Sequence, residues 1–243
     1  MPRMLAMHAV SFLRLALLIG LAGVLPWSAQ AARPFMTDDA RITTAGSCQL
    51  ESWSRRYKDR REDWALPACN PTGNFEITAG GGRFSGAAPS DGRDAVLQGK
   101  TLFRPLQTND WGWGLAVGRI EHGADLPGPN RLGNTYLYLP LSISTQEDRV
   151  VWHTNLGWMR DRESQRNATT WGAGLEFWAT ERVMLIAESF GDDRQRPFVQ
   201  TGLRLTLVPG LLQIDATRGQ QTGGPVRNSW ISFGLRYTPD KLF

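Results

Sequence analysis

The stretch WHTNLGW places an imidazole, His153, beside the hydroxyl of Thr154, and an imidazole within reach of a hydroxyl can activate it as a nucleophile. On a β-strand the same-face partner would lie two positions on, and that position holds Asn155 rather than Ser. The other histidine beyond the first 31 residues, His122, falls in a predicted loop. No hydrolytic dyad follows, and His153 reads as a polar residue of an interior. LQGKTLF carries Gly99, Lys100 and Thr101, but a phosphate-binding loop also needs glycine where Asp94 stands. AGGGRF (79–84) is a glycine run on a strand, suited to close packing or sharp curvature. NAT at Asn167 matches a glycosylation acceptor by chance. Two cysteines fall short of the four ligands of a structural zinc site. The sequence therefore predicts neither an enzyme nor a cofactor or metal site.

The elements that must position these residues repeat with a period of two. In WGWGLAVGR, Trp111, Trp113, Leu115 and Val117 share one face and Gly112, Gly114, Ala116 and Gly118 the other. In YLYLPLSIS, Leu137, Leu139, Leu141 and Ile143 alternate with Tyr136, Tyr138, Pro140 and Ser142. One face suits lipid and the other a lumen. The pattern predicts twelve strands, at 46–57, 62–70, 74–84, 94–105, 110–121, 133–144, 148–160, 168–179, 182–190, 197–208, 211–218 and 229–238. Most have the length of a tilted membrane-crossing strand. Connections alternate between short turns, as at Pro71 and Pro209, and longer polar segments, as at Ser85 and Gly219. The expected fold is all-β: a transmembrane antiparallel barrel of about 12 strands, closed so that no edge is left unpaired in lipid. A secreted β-sandwich would have no reason to keep lipid-like faces on nearly every strand.

The chain begins with Arg3, Arg14, the apolar run LALLIGLAGVLPW and an Ala-x-Ala site at Ala29 and Ala31. This reads as a secretory signal peptide over 1–31, cleaved after Ala31 or Ala32, since the apolar run is too short to anchor a helix in a bilayer. Removing Arg3 and Arg14 from the 27 basic residues leaves 25 against 23 acidic, so the pI of 9.4 overstates any basic character. Nucleic acid is not an expected partner. RRYKDRRED (55–63) alternates in sign and reads as a loop tip. The midpoint between Cys48 and Cys69 falls between Lys58 and Asp59, so a hairpin turning there sets the two cysteines opposite each other, as a cross-strand disulfide in an oxidising periplasm. Residues 32–45 lack alternation and read as either a periplasmic or a lumenal lead to a barrel over 46–243.

RPFMTDDARITTAGSCQLESW and LPACNPTGNFEITAGGG resemble segments of a group of uncharacterised proteobacterial outer-membrane β-barrel proteins, porin-like and in some cases labelled transporters. The resemblance covers the N-terminal third closely and the remainder in pattern. It implies a barrel in the outer membrane of a Gram-negative bacterium and carries no catalytic residues. Ile231, Phe233, Leu235 and Tyr237 alternate with Ser232, Gly234 and Arg236, which resembles the final-strand signal read by the barrel assembly machinery. Phe243 follows five residues beyond Thr238, at the periplasmic rim.

The polar faces place Glu76, Lys100, His153, Asn155, Glu176, Glu188, Gln200, Arg204, Gln213, Asp215 and Arg236 in the lumen. Both signs are present, so neither an anion nor a cation funnel is expected. Arg204 is the predicted partner of Glu176 and Glu188. The resulting expectation is a monomeric porin-like or transporter-like passage for small solutes, in contact with outer-membrane lipid and the assembly machinery. Its alternative is a closed structural or surface-interaction barrel without transport. Twelve strands lie between the barrels that fill with side chains and those that leave a channel.

Overall fold

In the computed structural model the structure describes residues 35–86, 92–122, 134–161, 165–239 and 242. The segment read as a signal peptide and Phe243 lie outside the described residues. Twelve antiparallel strands close into a barrel in which each strand pairs with its sequence neighbours and the first pairs with the last. They are β1 (Ser47–Arg56), β2 (Arg60–Asn70), β3 (Phe75–Gly86), β4 (Gly92–Arg104), β5 (Trp111–His122) and β6 (Asn134–Thr145), followed by β7 (Val150–Arg160), β8 (Asn167–Trp178), β9 (Val183–Asp192), β10 (Phe198–Val208), β11 (Leu212–Gln221) and β12 (Ser229–Tyr237). Among the described residues the sole helical element is one 3-10 turn, Val226–Asn228.

The period-two pattern of the sequence becomes the two faces of this wall. Ile231, Phe233, Leu235 and Tyr237 point outward, with Phe233 60% exposed, while Ser232 and Arg236 between them are buried inward. The same alternation exposes Leu97, Trp152 and Leu156 and buries Lys100, His153 and Glu188. An apolar outer belt around a polar interior, with every strand edge paired, is the arrangement of a membrane-spanning barrel.

Strand positions agree with the sequence expectation to within a few residues, and the departures are local. RRYKDRRED is not a loop tip. β1 continues through Arg56 and β2 starts at Arg60, so only Tyr57–Asp59 turn, closed by the Tyr57 N–H donating to the Arg60 carbonyl at 2.9 Å. His122 ends β5 rather than sitting in a loop, and β11 runs on to Gln221. The two mid-strand prolines leave gaps in their ladders. Between β2 and β3 the pairing skips from Ala65↔Gly81 to Ala68↔Thr78 around Pro67, and between β5 and β6 from Trp113↔Leu141 to Ala116↔Tyr138 around Pro140. A proline offers no N–H to a neighbouring strand, which accounts for both.

Cys48 and Cys69 face each other in the β1–β2 register and form a disulfide, S–S 2.08 Å. The covalent pair sits where the chain enters the barrel wall, at the end carrying the short turns.

Candidate functional site

The lumen is occupied by the chain's own N-terminal segment. Residues 35–46 enter at the short-turn end, where Gly46 takes the left-handed φ of 74° that lets the segment fold back inside β1. The neck is held by the Gly46 N–H donating to the Asn70 carbonyl at 2.8 Å and by the Asn70 amide donating to the Thr43 carbonyl at 2.6 Å. Phe35, Thr37, Asp39, Ala40 and Thr43 are buried.

A segment without regular structure must find partners for its backbone N–H groups elsewhere, and here the wall supplies them. Glu188 accepts from the N–H groups of Met36 at 2.8 Å and Thr37 at 2.8 Å, and from the Gln200 amide. Asn155 accepts from the Asp38 N–H at 2.7 Å and donates to the Asp38 carbonyl at 2.8 Å. Ser142 accepts from the Ala40 N–H at 2.8 Å, and Glu76 from the Thr43 N–H at 2.7 Å and the Thr43 hydroxyl. The segment's charges answer those of the wall. Lys100 meets Asp38 at 2.8 Å and Asp39 at 3.5 Å, while Arg41 meets Glu176 at 3.2 Å. The Tyr138 hydroxyl donates to Asp38 at 2.7 Å.

The wall is shaped to receive the segment. A Cβ at Gly172 would come within 2.5 Å of the Thr37 hydroxyl, and one at Gly174 within 2.9 Å of the Phe35 ring. Phe35 packs against inward-facing Met184 and Ile186 and meets the edge of His153 at 5.6 Å between ring centroids.

Glu76, Lys100, His153, Glu176, Glu188, Arg204, Asp215 and Arg236 are buried and Asn155 is half-buried. Six of them converge on the segment: Glu76, Lys100, His153, Asn155, Glu176 and Glu188. Arg236 instead donates to the Gln49 side chain at 2.7 Å, and Arg204 lies in register with Asp215. The carboxylates expected to answer Arg204 are thus engaged by the N-terminal segment, a partner that strand alternation cannot supply. Asp38, Asp39 and Arg41 were visible as charges in an unpatterned lead, with no signal to set them in the lumen.

Ser142 is a second surprise. It stands opposite His153 across β6 and β7, with its hydroxyl 2.8 Å from Nδ1, and Nε2 lies 3.4 Å from Glu176. This Ser–His–Glu row could not be read along one strand, because its members come from three. All three side chains are buried, and the Ser142 oxygen already accepts from Ala40. The row orders the imidazole beneath the segment, whose Ala40 N–H covers the hydroxyl.

A family model matches residues 18–237. The chain belongs to the family described as uncharacterised conserved protein UCP029691. No curated protein matches the sequence. Among solved structures the barrel is similar to the KdgM porin in complex with disordered oligogalacturonate, with a TM-score of 0.61 and 8% identity over 78% of this chain and 98% of the other. It is also similar to the NanC porin, with a TM-score of 0.53 and 10% identity over 80% of this chain and 100% of that one. A third match is an outer membrane channel from Pseudomonas putida F1, with a TM-score of 0.50 and 10% identity over 86% and 99% of the two chains. At these identities the likeness is one of fold.

Proposed function

We propose that this protein is an outer-membrane passage for small polar solutes whose lumen is closed by residues 35–46. One observation carries the reading: the wall charges Lys100, Glu176 and Glu188 are answered by a segment that joins the wall at the Gly46 neck. In a purely structural barrel the wall side chains would pair across the lumen and fill it themselves, as they do in eight-stranded barrels, whereas twelve strands enclose more space. Here Lys100, Glu176 and Glu188 take their partners from the segment. Withdrawing it leaves the strand ladders intact around a polar interior. The porins and the channel that share this fold support the reading.

Planar-bilayer recordings test it. Protein lacking residues 35–45 is expected to give steady ohmic steps, and the intact mature chain is expected to conduct much less. Silence from the deleted protein, shown to be folded by heat-modifiable migration, would overturn the passage in favour of a closed structural barrel. Equal conductance of both forms would overturn closure by the segment.

A further inference from the structure

The outer wall carries a feature that the lumen does not explain. On most of the circumference the outward face is apolar through the middle of the wall, but across β1–β4 its loop-side half is small and basic. In register, Arg56 faces Arg61 across β1 and β2, and Arg83 faces Arg93 across β3 and β4. All four are exposed. Below them on β3 the outward residues are Phe75 and Ile77, and on β4 Phe103 and Leu97, so the arginines lie at the upper margin of the apolar belt.

Like charges set directly opposite across strands are destabilising. Asp63 offsets only part of this charge. It pairs with Arg61 at 2.8 Å and is in register with Arg83. Among the described residues, no ion pair joins a carboxylate to Arg56, Arg83 or Arg93. Beside the cluster the wall is concave. Outward Ser52, Ser54, Ala65 and Gly81 form the floor of a depression of about 850 Å³, walled by Ile214, Phe233 and Leu235 and bordered by Arg83 and Arg93.

We infer that this face binds a phosphorylated lipid of the loop-side leaflet, with its phosphates on Arg56, Arg61, Arg83 and Arg93 and acyl chain in the depression. Charge complementarity selects an anion, and guanidinium groups recognise phosphate through paired hydrogen bonds. The apolar wall and the margin position select a lipid over a soluble anion, since the floor faces the membrane. The inference rests on the outer-membrane reading, whose loop-side leaflet is the outer one.

The test is native mass spectrometry on the full mature chain in detergent. The probes are lipid A carrying both phosphates, the same lipid dephosphorylated, and inorganic phosphate as competitor. The bisphosphorylated lipid is expected to bind about tenfold more tightly than the dephosphorylated one, a step of about 1.4 kcal/mol. Arg83→Gln with Arg93→Gln should remove that preference, while Arg119→Gln, at a residue paired with Glu121 at 3.1 Å, should keep it. Equal binding of the two lipids would overturn the inference, as would a folded double variant that retains the preference. Displacement by millimolar inorganic phosphate would overturn the choice of a lipid. If the double variant fails to fold, the comparison of lipids on the unaltered protein still decides. Conductance plays no part in this measurement, so a conducting barrel without headgroup preference refutes only the lipid site.

Discussion

The two halves of the lumen are closed by different means. At the short-turn half, Glu76, Lys100, Glu176 and Glu188 hold residues 35–46 through polar contacts, much of it to backbone. At the loop half the wall meets itself. Trp53 stacks on Trp64 at 5.7 Å between centroids, Phe84 stands edge-on to Trp64, and Phe190, Phe198 and Trp230 form a second cluster with Arg55 over the Trp230 ring. Polar contacts to one tethered segment can be exchanged for water when it leaves. Aromatic contacts between neighbouring strands belong to the wall and persist. The proposed closure and the integrity of the wall therefore draw mainly on separate regions of one cavity, joined where Arg55 donates to the Met36 sulfur at 3.3 Å.

The most forceful way to break this contrast is Glu176→Ala. It removes the nearer of the two carboxylates beside buried Arg41 and leaves Asp39 at 3.6 Å, so the cost should approach but not exceed the about 3–5 kcal/mol of a fully broken buried pair. A lowered thermal transition in detergent, together with protease cleavage within 35–46, is the expected outcome. Trp64→Ala sharpens the contrast from the other side. It removes a half-buried stacking partner worth about 1 kcal/mol beyond its area, while residues 35–46 should stay as protease-resistant as in the unaltered protein. If both substitutions expose the segment equally, the two halves are not independent.

The smallest effect concerns a turn remote from both. Asp110 accepts from Arg104 at 2.8 and 2.7 Å, and that bond, with the Trp111 N–H, holds its carboxyl below the usual carboxylate value. Because the folded value is depressed, the stabilisation is present above the unfolded value and disappears as pH falls through the folded one. The thermal transition of the unaltered protein should therefore fall slightly more on acidification than that of Asp110→Asn, with the segment unaffected.

The wall was legible in the sequence because a barrel strand states its two faces residue by residue, as Trp111 to Gly118 do. The Cys48–Cys69 pair was legible for the same reason, since hairpin symmetry fixes which residues meet. What alternation cannot state is contact between elements that are distant in the chain. The Arg41–Glu176 pair spans 135 residues and Met36–Glu188 spans 152, and neither leaves a trace in either local pattern. Residues 32–45 looked indifferent between periplasm and lumen because what residues 36–43 offer the wall is largely their own backbone N–H groups, which every sequence has. RRYKDRRED misled in a different way. Its charges suggested solvent, whereas Arg55 and Glu62 pair inside the barrel at 3.6 Å and Arg56 and Arg61 face outward.

The short tail after β12 also bears on the entry of the N-terminal segment. The Leu242 N–H donates to the Gly46 carbonyl at 2.8 Å, and the Ser47 hydroxyl donates to the Pro239 carbonyl at 2.8 Å. Residues following β12 thus fasten the hinge at Gly46, where the N-terminal segment turns into the lumen. This latch joins the tail after β12 to the start of β1, so it adds to the Asn70 neck a second fastening that depends on the barrel having closed.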